Sequence, residues 1–212
     1  MKGLILKDLY NIGHNARTML LVLVVLGVCL APTTGLTGYQ TTCALMCAMM
    51  VVTTFSFDDM AGWMSYALVL PVSRREIVWA KYLVLAIFCT VGDLLGGAAG
   101  ALVMALLGQP LPPLGEMAAL LLFGWALAYL TGSASIPLLL RFGAEKARII
   151  LVGAFMIPVM LILAVGGILS AAGVTLTDEL AVALFCASPL VALAAGAALG
   201  RIACAILNKK EY

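Results

Sequence analysis

All twelve Lys and Arg residues of this 212-residue chain fall in four groups, and long apolar blocks separate the groups. Lys2, Lys7 and Arg17 come first. Arg74, Arg75 and Lys81 form the second group, Arg141, Lys146 and Arg148 the third, and Arg201, Lys209 and Lys210 the last. The apolar blocks cover approximately 17–37, 41–57, 82–107, 116–140, 149–170 and 180–203, each near the ~20 residues that cross a bilayer as a helix. If all six cross, every basic residue lies on one face. The connectors on the other face, about 38–40, 108–115 and 171–179, then hold no Lys or Arg, and only Glu116, Asp178 and Glu179 are charged near it. The positive-inside rule places the basic face and both termini in the cytoplasm. A different span count would scatter the charges over both faces, so the distribution itself argues for six. The expected fold is all-α, a polytopic membrane protein.

Only 10% of the residues are charged and 64% are apolar, whereas soluble domains run near ~25% charged. A soluble core is excluded. The net charge of +2 is topological and gives no reason to expect nucleic acid as a partner. Leu4–Tyr10 already reads as helix and no small-residue cleavage site follows the first block, so that block is not expected to be a signal peptide. The connectors on the far face are too short for a folded external domain, and 1–212 reads as a single transmembrane domain. Cys29, Cys43, Cys47, Cys89, Cys186 and Cys204 lie in or at the ends of apolar blocks, as small buried hydrophobes do. No metal site is expected, because His14 is the only histidine and such sites combine several ligands. The chain has no GxxxxGK[ST] and no HExxH, so it lacks those routes to nucleotide and zinc chemistry. Catalytic residues are not expected.

Two segments are amphipathic rather than simply apolar. In 2–16, Leu4, Ile5, Leu6, Leu9 and Ile12 alternate with Lys2, Lys7, Asp8 and Asn11, which suits a helix lying in the membrane interface. In 55–82, Asp58 and Asp59 fall where a short helix would begin, since carboxylates favour helix N-termini. Met60, Trp63, Met64, Ala67 and Leu68 follow at i, i+3, i+4, i+7 and i+8, an apolar stripe. Pro71 stops that helix. Ser73-Arg74-Arg75-Glu76 is then a capping box, with Val72 and Ile77 as its hydrophobic staple. The pattern is helix, break, capped helix, with Lys81 near the start of the third span. The Met and aromatic stripe has two readings from physics alone: it packs into a partner's groove, or it rests on headgroups with Trp63, Tyr66 and Trp79 as interfacial anchors.

Asp93 is the one charge deep inside a block. It lies twelve residues past Lys81, ~18 Å along a helix, and ionisable groups at that depth face protein or water. It reads either as a substrate-path or proton-sensitive residue, or as a hydrogen-bonded group within the bundle. Gly92, Gly96 and Gly100 give two overlapping GxxxG steps beside it, and Gly196 and Gly200 form a similar face on the last block; such stripes permit close helix approach. Pro137, Pro158 and Pro189 allow kinks within spans.

Three stretches resemble the small membrane subunits of ABC-2 type bacterial export systems. The opening MKGLILKDLYNI is similar to that family's cytoplasmic helix before the first span. Phe57-Asp58-Asp59, Trp63, Tyr66, Leu70-Pro71-Val72-Ser73-Arg74, Ile77-Val78 and Lys81-Tyr82 are similar to its acidic–Trp–Pro–basic connector, where Asp-Glu is commoner than Asp-Asp. Arg141-Phe142-Gly143-Ala144-Glu145-Lys146-Ala147-Arg148 resembles its loop between the fourth and fifth spans. The resemblance implies a half-transporter in a bacterial cytoplasmic membrane. It would pair with a second permease subunit, identical or related, and with two copies of a separate ABC ATPase that binds ATP and Mg. Residues 1–16 would be a connecting helix and 58–76 the coupling segment. Asp58, Asp59, Trp63, Met64, Tyr66, Pro71, Arg74 and Arg75 would be the coupling residues, and the substrate would be an amphipathic or antimicrobial peptide. Two other functions fit the residues: an ion-coupled transporter using Asp93, and a membrane assembly protein without a transport path. Asp93→Asn separates the readings of that residue. A path or proton-sensing carboxylate alters transport or its pH profile; a purely structural one leaves both unchanged.

Overall fold

The structure, a computed structural model, describes residues 2–13, 16–67, 71–110, 112–171 and 178–209; the side chains of 16, 28, 30–32, 178–181 and most of 144–171 lie outside the described set. All six described elements are α-helices: α1 (Lys2–Gly13), α2 (Ala16–Met60), α3 (Trp63–Ala67), α4 (Arg74–Leu106), α5 (Leu114–Ala171) and α6 (Asp178–Lys209). Two of them break at glycines in the left-handed region, Gly35 (φ 69°) in α2 and Gly143 (φ 76°) in α5. Glycine has no Cβ and turns there without steric cost. Residues 38–40, expected as a connector, are helical within α2, and the break falls at Gly35 instead.

Four helical stretches are long and apolar enough to cross a membrane: Thr33–Met60, Arg74–Leu106, Leu114–Gly143 and Val182–Lys209. Lys2–Gly13 and Arg17–Gly27, bent by 62° at their junction, make a fifth candidate if taken as one broken span. The described residues therefore carry four or five candidates against the six expected. The remaining expected block, 149–170, lies in α5 beyond Gly143, where most side chains are outside the described set. The second block, expected at 41–57, extends over Thr33–Met60.

The connector after α2 differs from the expectation in one respect. Asp58 and Asp59 do not open a short helix; they close α2. The chain reverses at Gly62, whose N–H donates to the Asp59 carbonyl at 3.2 Å, and the short helix α3 starts only at Trp63. The apolar stripe is correspondingly shorter, and Leu68 lies outside the described residues. The capping box is present as expected: Glu76 N–H donates to Ser73 Oγ at 3.2 Å, and Ser73 N–H donates to Glu76 Oε2 at 2.9 Å. Val72 and Ile77 pack in one apolar cluster.

Helix packing follows the glycines. Gly92, Gly96 and Gly100 on α4 are buried against α2. A Cβ at Gly92 would lie 2.5 Å from Cys47 Cβ, one at Gly96 2.7 Å from Cys43 Cβ, and one at Gly100 2.8 Å from Leu36 Cδ1. The single-turn spacing of Cys43 and Cys47 thus matches that of Gly92 and Gly96. Gly196 and Gly200 do not meet that stripe. They receive rings instead, Tyr129 from α5 at 2.6 Å and Trp79 from α4 at 3.2 Å. Val51 and Phe55, Val78 and Leu85, Ile136, and Ala203 and Leu207 bring α2, α4, α5 and α6 into one core. Cys43, Cys47 and Cys89 are buried free thiols, while Cys29 and Cys186 are exposed.

Gly92→Ala drives a methyl into Cys47 next to the backbone, where no flexible end can yield. Overpacking of this kind costs about 1–3 kcal/mol. The thermal midpoint of the detergent-purified protein is expected to fall, while Gly115→Ala, which meets nothing within 4 Å, leaves it unchanged.

Candidate functional site

Four helices, α1, α2, α4 and α6, converge at the basic end of the bundle. The amphipathic pattern of 2–13 makes α1 a helix with Ile12 and Asp8 turned inward. α2 ends there with Thr54 and Asp58, one turn apart on one face. Ser73 caps α4 there, and two turns later α4 presents Lys81. α6 ends there at Lys209.

Lys81 is the centre. It is 4% exposed, and its ammonium has three donors. It contacts Asp58 Oδ2 at 2.6 Å, Asp8 Oδ1 at 3.0 Å and Thr54 Oγ1 at 3.1 Å. The Phe55 ring lies 4.8 Å away. Asp8 and Asp58 are buried as well, at 1% and 4% exposure. Lys7 completes a quartet: it donates to the other oxygen of Asp58 and lies 3.3 Å from Asp8 Oδ1. Two lysines and two aspartates give no net charge. Among the described residues no buried side-chain nitrogen or oxygen lacks a partner. Burying such ions is costly unless geometry and remaining hydrogen bonds are complete, and here they are. Lys7 also sits 4.4 Å over the Trp63 ring, a cation–π contact. The quartet therefore ties α1, α2 and α4 directly, and α3 through Trp63.

Two further contacts extend the cluster. Arg74 Nη1 donates to the Leu207 carbonyl at 2.7 Å and the Asn208 carbonyl at 3.1 Å. A guanidinium thereby satisfies end carbonyls of α6, which carry partial negative charge. A Cβ at Gly143 would lie 3.7 Å from Asp59 Oδ2, so Asp59 borders the break in α5.

The coupling candidates divide into two sets. Asp58 and Met64 are buried within the chain, the latter in the main core. Trp63 is partly buried, its ring 5.8 Å from that of Tyr66. Asp59, Tyr66, Pro71 and Arg75 are exposed, Tyr66 at 62%, and so is Met60, outside the candidate set, at 85%. The sequence reading missed Lys7, Asp8, Thr54 and Lys81 as partners. The available signal was Lys81 itself: an ammonium eight residues past a helix cap, flanked by apolar residues, needs acidic company.

Asp93 lies elsewhere, between α2, α4 and α5. It is 4% exposed. Gln40 Nε2 donates to its Oδ1 at 2.9 Å and to the Leu120 carbonyl at 3.3 Å. Gly124 makes the room, since a Cβ there would lie 2.9 Å from Asp93 Oδ1. Among the described residues no group of three or more His, Cys, Asp or Glu side chains could hold a metal.

Removing Lys81 leaves two buried carboxylates with Lys7 alone. Lys81→Met is expected to destabilise by about 3–5 kcal/mol, the usual effect of breaking a buried pair from one side. Lys81→Met/Asp58→Asn is expected to recover part of that loss. Thermal unfolding of the purified proteins as a double-mutant cycle measures the coupling.

A family model described as ABC-2 family transporter protein matches residues 3–207. Among curated proteins none matches the chain significantly.

Proposed function

The chain belongs to the ABC-2 transporter family, and from that premise we propose that it is the membrane subunit of an ATP-driven exporter. Membership of the family and several apolar helices of spanning length make it a multi-pass membrane component of an ABC transporter. Such a component is ordinarily non-catalytic. In our reading ATP and Mg are bound and hydrolysed by a separate ABC ATPase present in two copies. A second permease subunit completes the path, and an amphipathic or peptide-like substrate moves outward from a bacterial cytoplasm.

One observation carries the proposal. Met60, at the end of α2, and Tyr66, on the five-residue helix α3, are exposed, and the inner side of α3 is joined through Trp63 and Lys7 to the buried Lys81 quartet. An ATPase groove that holds Met60 and Tyr66 would grip α3. Displacement of α3 would reach α1, the end of α2 and the start of α4 together, because the quartet resists their separation. Arg74 would carry the same displacement to the end of α6. In this proposal Asp58, Met64 and Arg74 act inside the chain as positioning residues. Asp59, Trp63, Tyr66 and Pro71 border the partner, while Arg75, the remaining coupling candidate, faces the recess between α4 and α6. Asp93, held by Gln40, orders the bundle.

Co-expression with the ATPase, co-purification and efflux from energised vesicles test the proposal. Tyr66→Ala is expected to leave thermal stability near wild type, since the ring is exposed, and to lower substrate-stimulated ATP hydrolysis roughly tenfold, as loss of an interface aromatic does. If no ATPase co-purifies and Trp63→Ala changes nothing, the coupling model is wrong. Transport that persists without an ATPase and collapses with the proton gradient would favour ion coupling instead.

A further inference from the structure

From the facing stripes of α4 and α6 we infer a binding site for the headgroup of an anionic phospholipid at the basic end of the bundle. Arg75 and Trp79 stand one turn apart on α4. Arg201, Cys204, Ala205 and Asn208 form one stripe on α6, and together the six residues line a recess of about 440 Å³. That volume falls within the ~300–1,000 Å³ of small-molecule sites. The two helices are pinned at this end by the Arg74 bonds to the Leu207 and Asn208 carbonyls, so the recess is framed by fixed elements.

Its chemistry is one-sided. Two guanidiniums from different helices face the same space, and among the described residues no carboxylate lines it. The adjacent Glu76 is engaged elsewhere, accepting from Ser73 N–H at 2.9 Å and from Ser73 Oγ at 3.0 Å. Guanidinium forks match phosphate oxygens and bind them bidentately, and the Asn208 amide adds donors. The wall is not polar: Trp79 packs its ring on Gly200, with Cys204 and Ala205 beside it. A recess with two cations and an aromatic wall, at the basic end of membrane-length helices, suits a phosphate that carries an acyl tail. Basic recesses between membrane helices bind lipid headgroups in this way, and tryptophan favours that depth. The inference does not rest on the coupling proposal.

The test uses the full chain purified in detergent, with phosphatidylglycerol and phosphatidylcholine as probes. Native mass spectrometry measures retained lipid and thermal unfolding measures stabilisation. Wild type is expected to retain phosphatidylglycerol in preference to phosphatidylcholine and to be stabilised by it. Arg75→Gln/Arg201→Gln is expected to weaken retention roughly thirtyfold, the effect of removing two basic groups. Ala205→Trp fills the recess with both arginines intact and is expected to lose the lipid as well, which separates the site from general surface charge. Lys209→Gln, outside the recess, is expected to bind as wild type. The inference is overturned if the double variant and Ala205→Trp both retain phosphatidylglycerol, or if Lys209→Gln lowers retention as much as the double variant. Equal retention of phosphatidylcholine overturns it too. Stabilisation by inorganic phosphate alone, equal to that by the lipid, would mark a free-anion site and overturn the headgroup assignment. Displacement of the lipid by the purified ATPase, one for one, would assign the recess to a protein contact and have the same effect.

Discussion

A buried ammonium with all three of its protons engaged holds the basic end of this protein together. Lys81 sits where water is excluded, and an isolated charge there would be driven to neutrality or outward. Asp8, Asp58 and Thr54 remove that pressure by accepting one hydrogen bond each. They come from two distant parts of the chain, Asp8 from α1 and Thr54 and Asp58 from the end of α2. Their convergence on one nitrogen fixes where α1 lies and where α2 must end. Lys7 then balances the second carboxylate charge and reaches Trp63. The short helix α3 could not hold itself in isolation, because helices of so few residues are unstable alone. It is held by Met64 and Ala67 in the core and by the lysine over its tryptophan.

Further into the bundle the forces change. Between helices in lipid the hydrophobic effect gives little preference for protein over acyl chain, so close packing and interhelical hydrogen bonds decide association. The α2–α4 seam uses both. Glycines at 92, 96 and 100 accept Cys47, Cys43 and Leu36 at distances no larger residue would allow. Gln40 to Asp93 joins the same pair of helices by a hydrogen bond, with the Leu120 carbonyl adding α5. Cys43 and Cys47 fit by volume: cysteine is small enough to sit on glycine and apolar enough to remain there. Asp93 faces protein, as a membrane carboxylate should, and its partner is an amide rather than a cation.

Much of this was legible because the bilayer imposes simple rules. The alternation of apolar blocks with basic groups predicts membrane helices, and the Ser73–Glu76 box predicts the start of α4 to the residue. The GxxxG steps predict a close helix face, which the structure supplies. Other readings failed for local reasons. Asp58 and Asp59 fit a helix N-terminus by charge preference, a weak effect near ~1 kcal/mol. Pairing Asp58 with a buried lysine is stronger, so α2 continues through both residues and the turn falls at Gly62. The Gly196–Gly200 face, similar in sequence to the α4 stripe, receives the rings of Tyr129 and Trp79 where the α4 stripe receives small side chains and Leu36. A small-residue stripe specifies room, and it does not specify who fills it.

The division between sequence and tertiary structure follows from the range of the interactions. Local and one-dimensional properties were determined by the sequence: apolar length, the distribution of basic charge, the helix cap and the positions where glycine frees the backbone. These depend on neighbours within a few residues or on the membrane as a uniform medium. The tertiary structure alone decided which charges are solvated and which are buried. Lys7, Asp8, Asp58 and Lys81 are separated by up to seventy-four positions, and nothing in their local sequence states that they share one site. Their pairing became fixed only when three helices met, because a charge withdrawn from water must be answered by whichever charge arrives with it.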